Sequence, residues 1–584
     1  MKICLLHLPD WNVLSYKKNE TEKQLNSGKK PKIDGDFATM PYGLLMLAAQ
    51  ARRKGHEVLI YNLSCYPWDE LSTILRYIKV DLFGFTCLTI NHYSVGVIST
   101  FIRQLYPNVH IVVGGPHATA LPIEMLSHYP AIDTIVIGEG EQTFMEIIQN
   151  LELGKPVKNI YGTAWRCSNE IKIAPSRARI KNLDSLAPPA DYYSTGIVLT
   201  ARGCPGQCTF CQGKAIWGRK VLYHSAEYTL DLIEKIVSVH KRKTIGIKDD
   251  TFTTDRKRVL AICKGILDRK LNFLWSCDTR VDRLNEELLY AMRLSGCQQI
   301  SLGVESASQR ILQNIKKNIK IEQVLDITRM AQKYGFQIRY FMIAGNRSES
   351  LDSIQQSLDF IEKARPNSYI FSPFIFYPGT EDFKIIQQRN RINNGIFFSD
   401  QFKINYLTMF HMDLSDDMKA VYEWYKNSQN QNKAYHYSSQ ECLNFVKLFP
   451  DLGAAHMDLA SAYIQENKTN IAIHHLIKAS ELNYPLSCLI YNNYACIAAL
   501  KKNYSDMLKN IEKAVRMQPV HPIVIQNFNA VQKWINNRTS NHNNDISLVS
   551  TNNFQLIGGG KQPESSVPVQ LTIKKRTIKQ NEQL

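Results

Sequence analysis

Short, largely apolar, β-branched runs recur along the first part of the chain, at residues 2–8, 56–62, 81–86, 109–114 and 132–137. Runs of this kind suit strands of a sheet covered on both faces. Helical patterns lie between them. Over 41–54, Leu44, Leu47, Ala48 and Ala51 fall on one face, and Gly55 ends the element. Strands alternating with helices predict an α/β unit with a parallel, doubly wound sheet, whose ligands sit beyond the carboxyl ends of its strands. The alternation resumes with strands at 197–200, 244–248, 273–276, 298–303, 337–343 and 369–375, and helices at 255–268, 284–294, 321–334 and 351–364. Six strands with crossovers suit an open parallel barrel rather than the closed eight-stranded one. After the polar and aromatic stretch 383–440 (Phe397, Phe398, Phe402, Tyr406, Phe410, Tyr422, Tyr425), the pattern becomes helical. From 453 it repeats at about 35 residues, pairing Ala460 with Ala495 and Ala479 with Ala514. Such spacing looks like tetratricopeptide (TPR) repeats, with flanking helices near 436–449 and 522–535.

Length and charge refine this outline. A chain of 584 residues exceeds one core. The expected division is a nucleotide-type domain over 1–155, a bridge over 156–195, a partial barrel over 196–382, a cap over 383–440, helical repeats over 441–535 and a disordered tail over 536–584, poor in apolar residues. Residues 9–40 form a long polar connection, read equally as a lid or as disorder. No apolar run approaches the roughly 18 residues that a membrane-spanning helix needs. Nor does the start resemble a signal peptide. Thirteen cysteines without framework spacing suit a reducing cytoplasm. The net charge of +17 is spread over separate lysine groups, so a nucleic-acid partner is not favoured.

The most specific chemistry is the run Cys204-Pro-Gly-Gln-Cys208-Thr-Phe-Cys211. Three thiolates at this spacing can converge on one iron–sulfur cluster and leave one iron open. Zinc is the other reading, although a structural zinc ion wants four protein ligands and no compact cysteine pair completes the set. The run, with the aromatic Phe210 before its last cysteine, resembles the signature of the radical S-adenosylmethionine (SAM) enzymes. That resemblance implies a four-iron four-sulfur (4Fe-4S) cluster on Cys204, Cys208 and Cys211. It further implies SAM on the open iron, a 5′-deoxyadenosyl radical, and an electron donor such as flavodoxin or ferredoxin.

Two glycine-rich loops fall at strand ends: Gly114-Gly115-Pro116-His117-Ala118-Thr119 and Gly138-Glu139-Gly140-Glu141. Glycine there permits a tight turn or a ligand's close approach, and neither loop is a dinucleotide or phosphate-loop fingerprint. Together with Pro41-Tyr42-Gly43 and Lys54-Gly55-His56, and placed upstream of the cysteines, they resemble the cobalamin-binding domain of the B12-dependent radical SAM enzymes. By that resemblance, Gly114 to Thr119 approach the corrin and its nucleotide tail, and Gly138 to Glu141 flank the same pocket. The Asp-x-His-x-x-Gly motif that supplies a cobalt ligand in other B12 domains is missing, and His7 reads as a core residue. A domain that binds no cobalamin stays open at this point.

The resemblance also assigns polar residues at the barrel's strand ends. Asp249 and Asp250 would meet the amino end of SAM, their alternative being helix capping. Ser276 and Arg280 would reach SAM or substrate, Glu305 the ribose or the substrate, and Arg339 the adenine region. Tyr377 would stand near the mouth of the barrel on the substrate side. The implied activity is a cobalamin-dependent radical SAM methyltransferase acting on an unactivated carbon of an unknown, peptidic-leaning substrate. The alternative is a radical SAM enzyme that cyclises, rearranges or epimerises without methyl transfer. Repeats of the TPR kind usually hold a peptide or protein partner.

Overall fold

The computed structural model describes residues 1–9, 39–399, 407–428, 435–538 and 546–551. Most of the 9–40 connection, Phe402, Tyr406 and most of the 536–584 tail lie outside the described residues. The first unit is a sheet of β1 (Lys2–His7), β2 (Glu57–Asn62), β3 (Leu82–Thr86), β4 (His110–Gly114), β5 (Thr134–Val136), β6 (Thr163–Cys167) and β7 (Glu170–Ile173). Its strand order is β2-β1-β3-β4-β5-β6-β7. The first five strands are parallel, and β6 and β7 join antiparallel. Alternation along β1 sends Ile3 and Leu5 into one core layer and Cys4 and Leu6 into the other, as a sheet covered on both faces requires. The last two strands run through the segment read as a bridge. β7 is four residues long and mostly exposed, so it carries no apolar run for a pattern to detect.

The second unit begins with β8 (Ile197–Val198) and a two-residue antiparallel pair, β9 (Ala201–Arg202) with β10 (Leu222–Tyr223). β11 (Thr244–Ile247), β12 (Leu274–Thr279), β13 (Cys297–Glu305), β14 (Gln337–Ala344) and β15 (Ser368–Pro373) follow. These form a six-stranded parallel sheet in the sequential order β15-β14-β13-β12-β11-β8. Consecutive parallel neighbours require a crossover after every strand, which lays the helices on the outside. β8 and β15 are not paired with each other, so the barrel is open.

Beyond the barrel the described residues are almost wholly helical. Two hairpins, Gly453–Gln465 with Thr469–Glu481 and Ser487–Leu500 with Tyr504–Met517, are flanked by Ser439–Leu448 and Pro522–Arg538. Ala460, Ala479, Ala495 and Ala514 are fully buried where helices cross, the role their spacing predicts. This region is docked against the barrel. Cys442, Phe445, Phe449 and Leu459 share the barrel's outer core, and fully buried Arg293 pairs with Asp458 at 2.7 Å. The aromatic cap packs back in turn: Trp424 meets Phe371 of β15 edge-on at 5.1 Å, and Phe397 meets His117 of the first unit at 5.7 Å. No helix among the described residues is long and apolar enough to cross a membrane.

Candidate active site

The cysteines lie in the loop that follows β9. Gly203, at φ +102°, turns the chain out of the strand, and a Cβ there would stand 3.0 Å from the Lys220 carbonyl. The loop is pinned along its length. The Thr209 amide donates to the Ile315 carbonyl at 3.0 Å, the Asp382 amide donates to the Thr209 carbonyl at 3.1 Å, and the Thr209 hydroxyl donates to the Asp382 carboxylate. Phe210 packs edge-on against Phe374. Main-chain amides of Gly206 and Gly213 point at the sulfurs of Cys204 and Cys211, at 3.3 and 3.4 Å. Nη1 of Arg280 lies 3.9 Å from the sulfur of Cys208. Cys204, Cys208 and Cys211 are all partly or fully accessible, whereas eight of the other ten cysteines are buried. Three accessible thiols on one loop, ringed by amide donors and a guanidinium, form a donor set suited to an anionic cluster. Among the described residues, no three His, Cys, Asp or Glu side chains converge as a single ion needs.

The strand-end residues divide on inspection. Asp249, expected at SAM, is occupied by its own chain. It accepts from the Thr200 amide at 2.5 Å, the Thr200 hydroxyl at 2.6 Å and the Ala201 amide at 3.0 Å. Its role is to fix the strand that feeds the cysteine loop. Asp250 accepts from the Gly203 amide at 3.0 Å and faces Gly213, which leaves it at the loop itself. Glu305 takes a left-handed φ of 70°, unusual outside glycine, and pairs with Lys317 at 2.8 Å. A Cβ on Gly303 would meet both members of that pair, at 2.6 and 2.8 Å, so glycine leaves them room. Ser276 is buried on β12, and Nε of Arg339 reaches Ser368 at 3.4 Å. No hydrogen bond among the described residues links either to the cysteine loop. Burial pushes the Tyr377 hydroxyl above its ordinary value, and Cys211 adds to the rise.

Asp249 gives a pH-dependent prediction. Burial pushes its carboxyl up to about 6, against the lowering effect of Thr200 and Arg258. The folded protein therefore holds this proton more tightly than the unfolded chain does, and ionisation works against the fold. Stability should fall as pH rises between 3.8 and about 6, by at most about 3 kcal/mol for a shift of this size. Asp249→Asn keeps an acceptor for the two amides and does not ionise. Its urea midpoint should thus gain on the natural protein's across that window; parallel pH profiles would refute the assignment.

The glycine-rich loops also separate into ligand-facing and inward-facing parts. Gly138, at φ +79°, has nothing within 4 Å of its would-be Cβ and borders open space. Its amide donates to the Thr119 hydroxyl at 3.1 Å, which ties the two loops together. Gly115 is glycine for an internal reason, since a Cβ would stand 2.8 Å from the backbone of Cys87. His117 and Ala118, expected near the corrin, are instead fully buried. The His117 ring stacks on His92 at 4.7 Å, and burial, with His92 beside it, holds it well below the ordinary histidine value. Glu139 and Glu141, expected to flank the pocket, turn toward the barrel and hold Arg202 at 3.2 and 2.6 Å. Arg202 stands two residues before Cys204, so this ion triad fastens the cysteine loop to the first domain. Gln212 adds a hydrogen bond to the Pro378 carbonyl at 3.2 Å, and a cleft of about 540 Å³ opens between Ala120, Glu124, Gly379 and Asn394. Lys317, Asp382, Thr209 and Arg202 were not singled out in the sequence. Only Arg202 and Thr209 carried a signal, their adjacency to the cysteines.

Comparison with known proteins agrees with this geometry. A family model described as the B12 binding domain matches residues 34–148, and one described as the radical SAM superfamily matches 198–361. An uncharacterized methyltransferase of Pyrococcus horikoshii is 31% identical over 353 residues, covering 58% of this chain and 77% of that protein. The anaerobic magnesium-protoporphyrin IX monomethyl ester cyclase of Rubrivivax gelatinosus is 25% identical, covering 54% of this chain and 60% of that protein. The cytidylyl-2-hydroxyethylphosphonate methyltransferase of Streptomyces wedmorensis is also 25% identical, covering 57% and 75%. Among solved structures, the radical SAM methyltransferase TsrM of Kitasatospora setae, with cobalamin and a 4Fe-4S cluster bound, shares the fold at a TM-score of 0.54 and 16% identity, over 66% of this chain and 78% of that one. The cobalamin-dependent radical enzyme OxsB shares it at 0.50 and 16%, over 87% and 76%.

An open parallel barrel carrying a three-cysteine loop, fastened to a cobalamin-type sheet, defines a radical SAM enzyme. The chain belongs to the B12-binding-domain-containing radical SAM enzymes, and its cofactors are a 4Fe-4S cluster, SAM and cobalamin.

Proposed function

We propose that the chain is a cobalamin-dependent radical SAM methyltransferase, with the division of labour expected from 1–155, 196–382 and 441–535, and with Cys204, Cys208 and Cys211 as the cluster ligands. The observation that carries the reading is the Arg202 triad with Glu139 and Glu141, because it holds the cysteine loop and the cobalamin-type loops at one shared face. When bound, these cofactors supply a carbon-centred radical able to take hydrogen from an unactivated carbon, and a methyl group to replace it. Arg280 places positive charge against Cys208, and Asp282, at 2.8 Å, orients that guanidinium. The buried Lys317–Glu305 pair adds a second fixed charge pair on the same side of the barrel. Phe374 and Phe376 are buried beside Phe210 and form an apolar wall behind the cysteine loop. Asp250 at the loop and Tyr377 at the mouth are the residues assigned to SAM and substrate. An electron donor of the flavodoxin or ferredoxin kind completes the set.

The methyltransferase names of the Pyrococcus and Streptomyces relatives support methyl transfer. The cyclase name of the Rubrivivax relative favours the second reading, radical chemistry without methyl transfer. Anaerobic protein reconstituted with iron, sulfide and cobalamin should turn over SAM, under reductant and with its substrate, to equal amounts of S-adenosylhomocysteine and 5′-deoxyadenosine. Formation of 5′-deoxyadenosine without S-adenosylhomocysteine would select the second reading.

A further inference from the structure

Three asparagines of the helical region are buried at one place: Asn492 and Asn493 on the helix Ser487–Leu500, and Asn527 on Pro522–Arg538, at 0, 0 and 1% exposure. Asparagine is a poor residue for a helix interior, and a buried primary amide left unpaired costs about 1–3 kcal/mol. Packing alone therefore does not explain them. Their partners do. Asn527 accepts from the Val549 amide at 2.9 Å and donates to the Val549 carbonyl at 2.8 Å. Asn493 does the same for Thr551, accepting at 3.0 Å and donating at 3.2 Å. Asn492 donates to the Val549 carbonyl at 3.1 Å and accepts from Asn527 at 2.8 Å, which orients the Asn527 amide.

In an extended chain, the N–H and C=O of one residue point to the same side, and the next such pair comes two residues later. Val549 and Thr551 show that step. A carboxamide carries one acceptor and two donors, so it can close both bonds with one backbone residue, as a neighbouring strand would. The side chain contributes little at the first paired position, where Val549 is 42% exposed, whereas Ser550 and Thr551 are buried. The apolar anchor comes one residue earlier, where Leu548 packs against two clusters of the helical core.

We propose that this groove is a binding site for an extended polypeptide segment of another molecule, read through its backbone by Asn493 and Asn527, and that residues 546–551 occupy it in cis as an exchangeable stand-in. The ligand it takes is a peptide with a bulky apolar residue directly before the first backbone-paired position and wide freedom at that position itself. Strand-like pairing gives affinity with little demand at the first paired position, and the apolar contacts of Ile546 and Leu548 with the helical core give register. Occupation by the chain's own segment sets a threshold that an incoming peptide must exceed. The site is independent of the reaction assigned to the barrel.

The probe is the fluorescein-labelled hexapeptide Ile-Ser-Leu-Val-Ser-Thr, with a second peptide N-methylated at the valine and the threonine. A full-length Val549→Pro/Thr551→Pro variant loses both amide donors of the resident segment. It should bind the first peptide at least about tenfold more tightly than the natural chain does, the scale of two lost hydrogen bonds. The N-methylated peptide, and Asn493→Ala or Asn527→Ala in the proline variant, should lose that gain. A measurement on the natural chain needs no variant: the amides of Val549 and Thr551 should be protected from hydrogen exchange, and excess unlabelled hexapeptide should remove the protection. Equal binding of the two peptides, or protection that peptide leaves unchanged, would overturn the proposal. So would a dimer of the natural chain that the proline variant does not form, which would make a second copy's 546–551 the occupant.

Discussion

Replacing any one of Cys204, Cys208 and Cys211 by alanine should lower the iron of anaerobically reconstituted protein from about four atoms per chain to below about one. Reductive cleavage of SAM to 5′-deoxyadenosine should be lost with it. The reason is the donor set. Three thiols stand on one accessible loop, and with one gone the remaining two cannot hold a cube-shaped cluster. The fold should survive, since the loop is held by the Thr209–Asp382 and Thr209–Ile315 contacts rather than by the sulfurs. Near-UV circular dichroism and the urea midpoint of the apoprotein should therefore match those of the natural chain. Cys65, the exposed cysteine of the first domain, is the control. Its alanine variant should keep both iron and SAM cleavage. Full iron in a Cys208→Ala variant would sink the ligand assignment whatever the activity.

The Arg202→Met variant should be destabilised by about 3–5 kcal/mol, because it strands the buried Glu141 carboxylate without its cation and removes one of two cations from Glu139. Arg179 remains 3.8 Å from Glu139, and the Ile180 amide donates to the same carboxylate at 2.6 Å, so the uncompensated charge falls mainly on Glu141. The loss should appear as a lowered urea midpoint, with weaker retention of cobalamin on gel filtration, since the triad is what fixes the first domain against the cysteine loop. Adding Glu139→Gln and Glu141→Gln to Arg202→Met should restore much of the stability, because the cost comes from uncompensated charge. A single variant as stable as the natural protein would mean that water enters the triad and the domains are held elsewhere.

Much of this architecture was legible beforehand, for a physical reason. Strands covered on both faces must be apolar along their length, so β1 to β5 and the six barrel strands announce themselves. The helices between them carry one apolar face each. β6 and β7 escaped because an edge hairpin with an exposed face carries no such run. The repeat register was readable from Ala460, Ala479, Ala495 and Ala514, which are small because helices cross there.

The site was legible only where chain neighbours suffice. Cysteine spacing fixes three donors on one loop before any folding is considered. Which way a side chain turns at the end of a strand is another matter. Asp249 and Asp250 are adjacent and chemically alike, yet one secures Thr200 and Ala201 and the other faces the loop. His117 sits in a glycine-rich loop but points into the core, and Glu139 and Glu141 reach across to Arg202. Lys317 and Asp382 came to the site from segments with no motif of their own. Local composition thus determined the two α/β units, the helical repeats and the cysteine loop, since periodicity and spacing act between near neighbours. Tertiary structure alone decided which charges pair across the domain boundary and that Val549 and Thr551 lie against buried asparagines, because those contacts join residues distant in the chain.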